Sequence, residues 1–317
     1  MKYTLLIVGH TSGKISNFAR RRFLKNKRIN VVCYINFEEM VREVPRDVTS
    51  SVVILPIYCE DESLKRPFKV DHVKRIEQYF FGNENVIILH GSKIGTCLGN
   101  KTLTNDLYSS NNIPCPKIIS DGNRDDKLVF VNQVTDSGKA VEVVSNSLDP
   151  TKYNTEFVDT TFMYKGIEYW TAIRAMCVGS EINEIYVYLR EKDLIDPHRN
   201  TSVHAYDSPT FAKIHSEFYE QRVRPKIKSI KTMCHKIGIL LGLGFYSHDI
   251  LIDTVGEIFV CESGFKIDSP TWKKHNSAFV SCLLHEKSWK QSVDDALTLL
   301  IEQLHTQPTA PDVFNQC

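Results

Sequence analysis

Short apolar runs alternate with amphipathic stretches over the first 95 residues of the chain. The apolar runs are rich in β-branched side chains and cover 3–8, 30–35, 51–57 and 85–89. Runs of this kind are typical of strands buried on both faces. The stretches between them predict helices over 18–25, 37–44 and 70–81. Because strands that alternate with helices form parallel sheets, we predict an N-terminal α/β module over residues 1–95.

A second region, 96–160, combines one helix with a pair of strands. The helix is predicted over 99–108, and the Ile113-Pro114 step ends it. Candidate strands follow at 128–131 and 140–144. The Ser-Gly-Lys turn between them, Ser137 to Lys139, can present backbone N–H groups and an ammonium to phosphates, although any hairpin favours such a turn.

Longer elements are predicted for the third region, 161–305. Strand-like segments cover 169–178 and 184–190, and a helical pattern runs from 210 to 241, where Pro225 is expected to break or kink it. The amphipathic pattern at 288–304 predicts a further helix, and 306–317 is predicted to be a frayed tail. These elements indicate an α+β arrangement.

The segment from Gly244 to Gly264 has the pattern of a β-hairpin. Two apolar runs flank a Thr-Val-Gly-Glu turn that contains Gly256. Because side chains alternate along a strand, Asp249 and Glu262 are expected to face each other from paired strands, where two carboxylates can share a divalent cation. His248 then points to the opposite face, and we expect it to pack in the core.

Composition narrows the class of protein without assigning a reaction. The 317 residues are 42% hydrophobic and 24% charged, which is a globular balance, and the net charge of +1 gives no reason to expect nucleic acid or an acidic membrane as partner. The basic cluster at 20–28 is interpreted as a solvated helix face, with a binding patch as the alternative. Nine scattered cysteines and the lack of a segment approaching about 20 apolar residues predict a cytoplasmic protein with reduced thiols.

Taken in order, five elements resemble the ATP-grasp superfamily. They are an Asn-Lys pair before a helix and Ile-Pro-x-Pro-Lys, a strand–Ser-Gly-Lys–strand unit, Glu-Phe-Val-Asp at 156–159, an arginine-bearing strand pair, and the hairpin with Asp249 and Glu262. Within the superfamily, the chain resembles the amino-acid and peptide ligases related to the ribosomal-protein S6 glutamate-adding enzymes. The resemblance covers about 100–270 and implies two α+β modules, 96–160 and 161–305, that clasp ATP beside the N-terminal domain.

The resemblance implies roles in binding ATP for several residues. Lys101 would reach the nucleotide phosphates, with a plain surface lysine as the alternative. The family has a hinge whose backbone hydrogen-bonds the adenine edge, and it is matched by Glu156, Phe157 and Val158, with Asp159 available for the ribose. The same four residues also suit a plain strand end. The remaining nucleotide positions are Asn132, Ser137, Lys139, Asn200 and His204.

The resemblance also implies which residues act where the phosphoryl group is transferred. Arg174 and Arg190 would stabilise charge on the transferring phosphoryl group, and Asp249 and Glu262 would bind Mg²⁺. Candidates for a clamp on a carboxylate substrate are His198, Arg199, His204 and Lys266.

Two positions depart from the family pattern. Gly264 stands where the family has an asparagine that adds a metal ligand, and Asn132 stands where it has a second lysine. The residues that could compensate for the lost metal ligand and the lost lysine are Lys139, Ser263, Lys266 and Asp268.

The reaction that the resemblance implies is ATP-dependent amide formation between a carboxylate and an amine, on small molecules or peptides, through an acyl phosphate. The alternatives are a nucleotide-binding protein of the same fold with lost or diverged ligase activity, and a kinase of the same fold. A homodimer is a further expectation from the resemblance.

Overall fold

The computed structural model describes residues 3–9, 29–58, 68–119, 129–132, 142–144, 152–192, 201–205, 207–265 and 289–306. These residues fall into two compact units. The first contains those up to Thr96, together with Gly242–Gly244 and the last helix from Leu297 onward. The second contains Cys97–Leu241 and Phe245–Ala296.

The first unit is built on a four-stranded sheet. Its elements are β1 (Tyr3–Val8), β2 (Ile29–Tyr34), α1 (Phe37–Glu43), β3 (Val52–Pro56), α2 (Val70–Tyr79), β4 (Val86–Ile88) and most of α3 (Ser92–Leu98). All strand pairs are parallel, in the order β2-β1-β3-β4. The predicted parallel α/β module is therefore confirmed for its four strands and for the helices at 37–44 and 70–81; the helix predicted over 18–25 lies outside the described residues.

A continuous apolar core explains why this sheet forms. Leu6, Val8 and Ile54 on the strands pack with Met40 of α1 and Ile76 of α2, and all five are almost fully buried. Strands buried on both faces need near-continuous apolar sequence, which is the pattern that predicted them.

The second unit begins with a helix and a small antiparallel sheet. The helix is α4 (Lys101–Ser110), and the strands are β5 (Val129–Asn132), β6 (Glu142–Val144) and β7 (Tyr153–Glu156), in the order β6-β5-β7. The helix and the two predicted strands are confirmed. The turn between β5 and β6, with Ser137 and Lys139, lies outside the described residues.

The second unit also contains a larger antiparallel sheet. Its strands are β8 (Thr161–Tyr164), β9 (Ile167–Val178), β10 (Glu181–Glu191), β11 (Thr201–Val203), β12 (Phe245–Ile252) and β13 (Ile258–Phe265). Five of them run in the order β11-β10-β9-β12-β13, and β8 pairs with β9. The strands predicted at 169–178 and 184–190 and the hairpin are confirmed, whereas β8 and β11 were not predicted.

The predicted long helix is interrupted where Pro225 was expected to act. It consists of α5 (Pro209–Phe218), a π-helical turn (Tyr219–Val223), a 3₁₀ turn that contains Pro225 (Arg224–Lys226) and α6 (Ile227–Leu241). Helix α6 packs against β9 and β10. A side chain at Gly238 would lie 2.2 Å from the backbone of Ser180, so glycine permits this close approach.

The last helix, α7 (Trp289–Thr306), confirms the amphipathic pattern predicted at 288–304. Its residues Ala296, Leu297, Leu300 and Ile301 are buried. Across the described parts of the chain, no helix is long and apolar enough to cross a membrane.

Candidate functional site

The β12–β13 hairpin is shaped by its turn. Asp253 accepts hydrogen bonds from the backbone N–H groups of Val255 and Glu257, at 3.0 and 2.7 Å. Gly256 has a φ of +91°, a left-handed conformation that favours glycine. The turn therefore has the residues that its backbone requires, which explains why it could be predicted from the sequence.

The register of the hairpin places the two predicted carboxylates opposite each other. Asp249 of β12 pairs directly with Glu262 of β13, as predicted. The register shifts immediately after this pair, because Ile250 pairs with Val260 and Cys261 is the extra residue of a β-bulge. Both carboxylates are partly exposed.

Arg174 extends this pair into a row across three neighbouring strands. It pairs with Asp249 in the register of β9 and β12. Its guanidinium donates two hydrogen bonds, from Nε to Oδ1 and from Nη2 to Oδ2 of Asp249, both at 2.5 Å. The Arg174 guanidinium also lies 5.1 Å from the centre of the Tyr188 ring. Burial alone would lower the pKa of Arg174, but its hydrogen bonds to Asp249 and the charge of that carboxylate raise it above the ordinary value.

We call the side of the large sheet that carries Arg174, Tyr188, Arg190, Asp249 and Glu262 the site face. Side chains alternate along each strand, so the neighbours of these residues point the other way. Buried examples on that other side are Ile173, Ala175, Val187, Leu189, His248 and Ile250. The side of the sheet opposite the site face is therefore packed with buried side chains.

Lys101 lies on the helix that contacts β13 of the hairpin. It is the first residue of α4, whose start is fixed by Asn100: the Asn100 side chain accepts hydrogen bonds from Thr102 N and Leu103 N at 3.0 and 3.2 Å. The charge of Lys101 acts on Cys261, the residue before Glu262. Burial, the largest cause, and the charges of Asp249 and Glu262 together raise the pKa of the Cys261 thiol to about 12, and the ammonium of Lys101 opposes that shift.

Behind the carboxylates, a buried chain of hydrogen bonds ties α4 to the hairpin. Tyr108 donates its hydroxyl to Ser263 Oγ at 2.6 Å, and Ser263 Oγ lies 2.7 Å from Nδ1 of His248. His248 is fully buried, which confirms its predicted core role. Ser263 is 2% exposed and is committed to this chain of bonds on the face opposite Glu262, so the hypothesis that it replaces the missing metal ligand is wrong.

The predicted hinge leads from β7 toward β8. The Glu156 carboxylate accepts a hydrogen bond from Lys117 N at 3.1 Å. The Asp159 carboxylate accepts hydrogen bonds from the backbone N–H and from the hydroxyl of Thr161. The backbone carbonyl of Asp159 accepts a hydrogen bond from Thr254 N at 3.0 Å. The hinge is therefore joined by a backbone bond to the turn of the β12–β13 hairpin.

Trp170, an aromatic residue beside the hinge, was not assigned a role from the sequence. The ring of Phe157 meets the ring of Trp170 edge to face, with centroids 5.3 Å apart. The Lys192 ammonium lies 3.9 Å from the centre of the same Trp170 ring and donates to Glu168 Oε2 at 3.1 Å. Nothing in the sequence signalled this position, because the pairing of Trp170 with Arg190 is set by the register of β9 and β10.

The other predicted residues are placed less fully. Arg190 is exposed, two residues after Tyr188 on β10, and His204 follows β11. Asn132 ends β5, where only the backbone is described. The predicted residues that lie outside the described residues are Ser137, Lys139, His198, Arg199, Asn200, Lys266 and Asp268.

The chemistry of Asp249 and Glu262 fits a hard divalent cation. Carboxylate oxygens are the ligands that Mg²⁺ prefers, and the pair occupies one face of two adjacent strands. Among the described residues, a Cβ atom added at Gly264 would meet nothing within 4 Å, so there is room for the start of a side chain at the position of the missing asparagine. Within the described ranges, no group of three or more His, Cys, Asp or Glu side chains is placed to hold a metal ion. Oxygens from phosphate and water would therefore have to complete the shell.

No protein-family model matches the chain, and no curated protein matches it at a significant level. Solved structures do resemble it. N5-carboxyaminoimidazole ribonucleotide synthetase from Thermotoga maritima is 14% identical over 95% of this chain and 76% of its own, with a TM-score of 0.52. The ATP-grasp ligase PsnB, solved with a minimal precursor, is 9% identical over 95% of this chain and 100% of its own, also at 0.52. N5-carboxyaminoimidazole synthetase from Staphylococcus aureus, in complex with ADP, is 12% identical over 86% of this chain and 72% of its own, with a TM-score of 0.51.

These similarities define the fold. The chain has the ATP-grasp fold, with a parallel-sheet α/β module and an antiparallel sheet that carries the site face. The predicted fold class is confirmed.

Proposed function

We propose that the protein is an ATP-dependent carboxylate–amine ligase that forms an amide bond and releases ADP and phosphate. The observation that carries the proposal is the direct pairing of Asp249 with Glu262 on the site face of an ATP-grasp fold. Proteins of similar fold include a named ligase and a synthetase solved with ADP. The closer relation to the enzymes that add glutamate to ribosomal protein S6 is part of this proposal.

The proposed nucleotide site runs from the hinge to the hairpin. Backbone groups of Glu156, Phe157 and Val158 bind the adenine edge, Asp159 binds the ribose, and Lys101 offsets phosphate charge. The position of Lys101 supports this assignment, because its charge acts on Cys261 beside Asp249 and Glu262. The further nucleotide contacts in the proposal are Asn132, Ser137, Lys139, Asn200 and His204.

Asp249 and Glu262 are the proposed ligands for Mg²⁺. A magnesium ion bound there would orient the phosphates and offset charge on the moving phosphoryl group. The two arginines, Arg174 and Arg190, lie on the same face and supply donors for phosphoryl oxygens.

The proposed reaction has two steps. An oxygen of the substrate carboxylate attacks the γ-phosphorus, and the bond from that phosphorus to the bridging oxygen breaks, which gives an acyl phosphate and ADP. The amine nitrogen then attacks the acyl carbon, and inorganic phosphate leaves as the amine loses a proton. The chain contributes position and charge stabilisation, since an acyl phosphate is reactive toward amines.

The proposed substrates are a carboxylate and an amine of small molecules or peptides. A carboxylate substrate needs a cationic clamp, for which His198, Arg199, His204 and Lys266 are the candidates. A cytoplasmic location and a homodimer are part of the same proposal.

A nucleotide-binding protein with lost or diverged ligase activity is the second candidate. Two observations favour it: Gly264 supplies no side-chain ligand, and both oxygens of Asp249 are hydrogen-bonded to Arg174. A kinase, the third candidate, differs from the ligase in its product, which is a stable phosphorylated compound.

The test is Mg²⁺-dependent release of ADP from ATP in the presence of pooled amino acids and short peptides, with hydroxylamine as a general amine. The ligase forms hydroxamates as well as ADP, because hydroxylamine traps acyl phosphates. A kinase forms ADP and a phosphorylated product without hydroxamate. Binding of nucleotide without ADP release supports the second candidate.

Two variants of the hairpin then locate the site. Glu262→Gln removes the charge of a proposed ligand and is expected to lower ADP release by about 100-fold or more. Glu257→Gln, an exposed acid in the turn of the same hairpin, is the matched control and keeps full release. Unchanged release in Glu262→Gln would show that the assignment of the metal site is wrong.

A further inference from the structure

Arg174 and a metal ion need the same carboxylate. Both Asp249 oxygens already accept a hydrogen bond from the Arg174 guanidinium, from Nε and from Nη2, at 2.5 Å each. A two-bond fork of this kind fixes the direction of the carboxylate as well as neutralising it. A divalent cation that approaches Asp249 therefore meets a positively charged group already bound to its ligand.

The surroundings of Arg174 favour this paired state. The Arg174 and Asp249 side chains are only 20% and 26% exposed, so water weakens the pair less than it would on the surface. The ring of Tyr188 lies against the guanidinium at 5.1 Å, and Tyr186 faces Arg174 across β9 and β10. The two tyrosines of β10 thus flank the arginine on one side, and Asp249 of β12 lies on the other.

The same pair becomes costly if Arg174 is simply displaced. A guanidinium that loses Asp249 in a partly buried site must find another anion, because a buried unpaired charge is unfavourable. The phosphates of a nucleoside triphosphate are the anions that the proposed site would supply. Arg174 lies on the same face as the carboxylates, where those phosphates would bind.

We propose that Arg174 exchanges one partner for another, Asp249 for a nucleotide phosphate, and that this exchange couples metal binding to nucleotide binding. Without nucleotide, its guanidinium satisfies Asp249 and prevents the cation from binding alone. When a nucleoside triphosphate binds, the guanidinium moves from Asp249 to a phosphate, and Asp249 becomes available to the cation. This inference rests on the proposed function and goes beyond it, because it assigns an order and a coupling to the two ligands.

The test measures metal affinity directly, with Mn²⁺ as the probe and the full chain as the protein. Free Mn²⁺ is counted by electron paramagnetic resonance in titrations with and without a non-hydrolysable ATP analogue. The wild-type chain is expected to bind Mn²⁺ weakly alone and much more tightly with the analogue. In Arg174→Met, the affinity for Mn²⁺ alone is expected to rise by about 10-fold or more, since a competing positive charge is gone.

Matched variants separate this effect from a general change of charge. Arg222→Met removes the same charge from an arginine whose Nη1 donates to Thr254 O in the turn of the same hairpin, and it should leave Mn²⁺ affinity unchanged. Tyr188→Leu keeps the charge of Arg174 but removes its aromatic neighbour, and we expect a smaller rise, of about 2- to 3-fold. If Arg174→Met does not fold, Arg174→Lys, which cannot form the two-bond fork, is titrated in its place and should also bind Mn²⁺ alone more tightly than the wild type.

Asp249→Asn distinguishes failure of the inference from failure of the proposed function. If Asp249→Asn weakens Mn²⁺ binding in the presence of the analogue but removal of Arg174 does not raise the affinity for Mn²⁺ alone, the exchange role is wrong and the metal site stands. If Asp249→Asn changes Mn²⁺ binding in neither condition, Asp249 is not a ligand and the proposed metal site is wrong as well.

Discussion

Two pairs of residues lie side by side in the β12–β13 hairpin and have opposite surroundings. Asp249 and Glu262 are cross-strand partners on the site face, partly exposed and next to Arg174. His248 and Ser263 are cross-strand partners one residue away, and they are buried on the other face. The first pair is charged, and the second is a neutral hydrogen-bonded link to Tyr108 of α4.

The comparison shows how one hairpin serves two purposes. Alternation along a strand sends neighbours to opposite faces, so a ligand site and a packed core can share the same two strands. Changes in the buried pair should act on stability, and changes in the exposed pair should act on ligand binding. The predictions below test this division from the largest expected effect to the smallest.

Ser263→Ala is expected to cause the largest loss of stability. It removes the oxygen that joins the Tyr108 hydroxyl to His248 Nδ1, and each of these buried groups then lacks a partner. A buried polar group without a partner costs about 1–3 kcal/mol, so we expect a loss of about 2–5 kcal/mol. Chemical denaturation measures it as a lower free energy of unfolding.

Glu257→Gln is the stability control for that experiment. Glu257 is exposed in the turn of the same hairpin, and its substitution should change the free energy of unfolding by no more than about 0.5 kcal/mol. Equal losses in Ser263→Ala and Glu257→Gln would contradict the structural role of the buried pair.

His248 is expected to make stability depend on pH. Burial lowers the pKa of His248 to about 3, whereas the unfolded chain should have the ordinary value of about 6.5. Among the described residues, the groups in contact with it are uncharged: Ser263, Tyr108 beyond it, and the stacked ring of Tyr246. Between these two pKa values the unfolded state binds the proton, so stability is full above about pH 6.5 and falls by about 1.4 kcal/mol for each pH unit below it.

Urea denaturation at several pH values between 7.5 and 5 checks the contribution of His248. The comparison variant is His248→Gln, which can still bond Ser263 but does not titrate. Its stability should fall less steeply with acid than that of the wild type. Parallel pH profiles for the two proteins would show that His248 is not the group responsible.

Tyr108→Phe should have a smaller effect than Ser263→Ala. Ser263 keeps His248 as a partner when the Tyr108 hydroxyl is lost, so one hydrogen bond disappears and we expect a cost of about 1 kcal/mol. The double variant with Ser263→Ala should cost clearly less than the sum, because both changes break the same bond. Additive losses would indicate that the two residues are not coupled.

The elements that the sequence predicted are those whose pattern is local. The buried strands of the first unit and the hairpin turn with Asp253 and Gly256 follow from continuous apolar runs and turn residues. Helix α3 was not predicted, because Gly95 and its neighbours have low helix propensity. It is held by a distant residue: Glu77 accepts hydrogen bonds from the backbone and hydroxyl of Ser92, at 2.7 and 2.5 Å.

The candidate site shows the same limit. Alternation along two adjacent strands was enough to predict that Asp249 faces Glu262. It did not predict that Arg174 would bind Asp249, since the two residues are 75 positions apart and their register is set by the packing of the whole sheet. The hydrogen bond from Tyr108 to Ser263, 155 positions apart, could not be predicted from the sequence for the same reason.

Gly264→Asn is the smallest change and the most direct test of the exposed pair. The residue lies two positions after Glu262, so a side chain there points to the same face, and a Cβ atom would meet none of the described residues within 4 Å. We therefore expect the free energy of unfolding to change by less than about 0.5 kcal/mol.

An amide oxygen added beside two carboxylates should tighten Mn²⁺ binding a few-fold in the presence of the ATP analogue. Gly264→Ala adds the Cβ without the oxygen and should leave the affinity unchanged. Equal affinities for the two variants would mean that position 264 does not border the metal, and loss of nucleotide binding in Gly264→Asn alone would mean that the register with the family pattern is wrong.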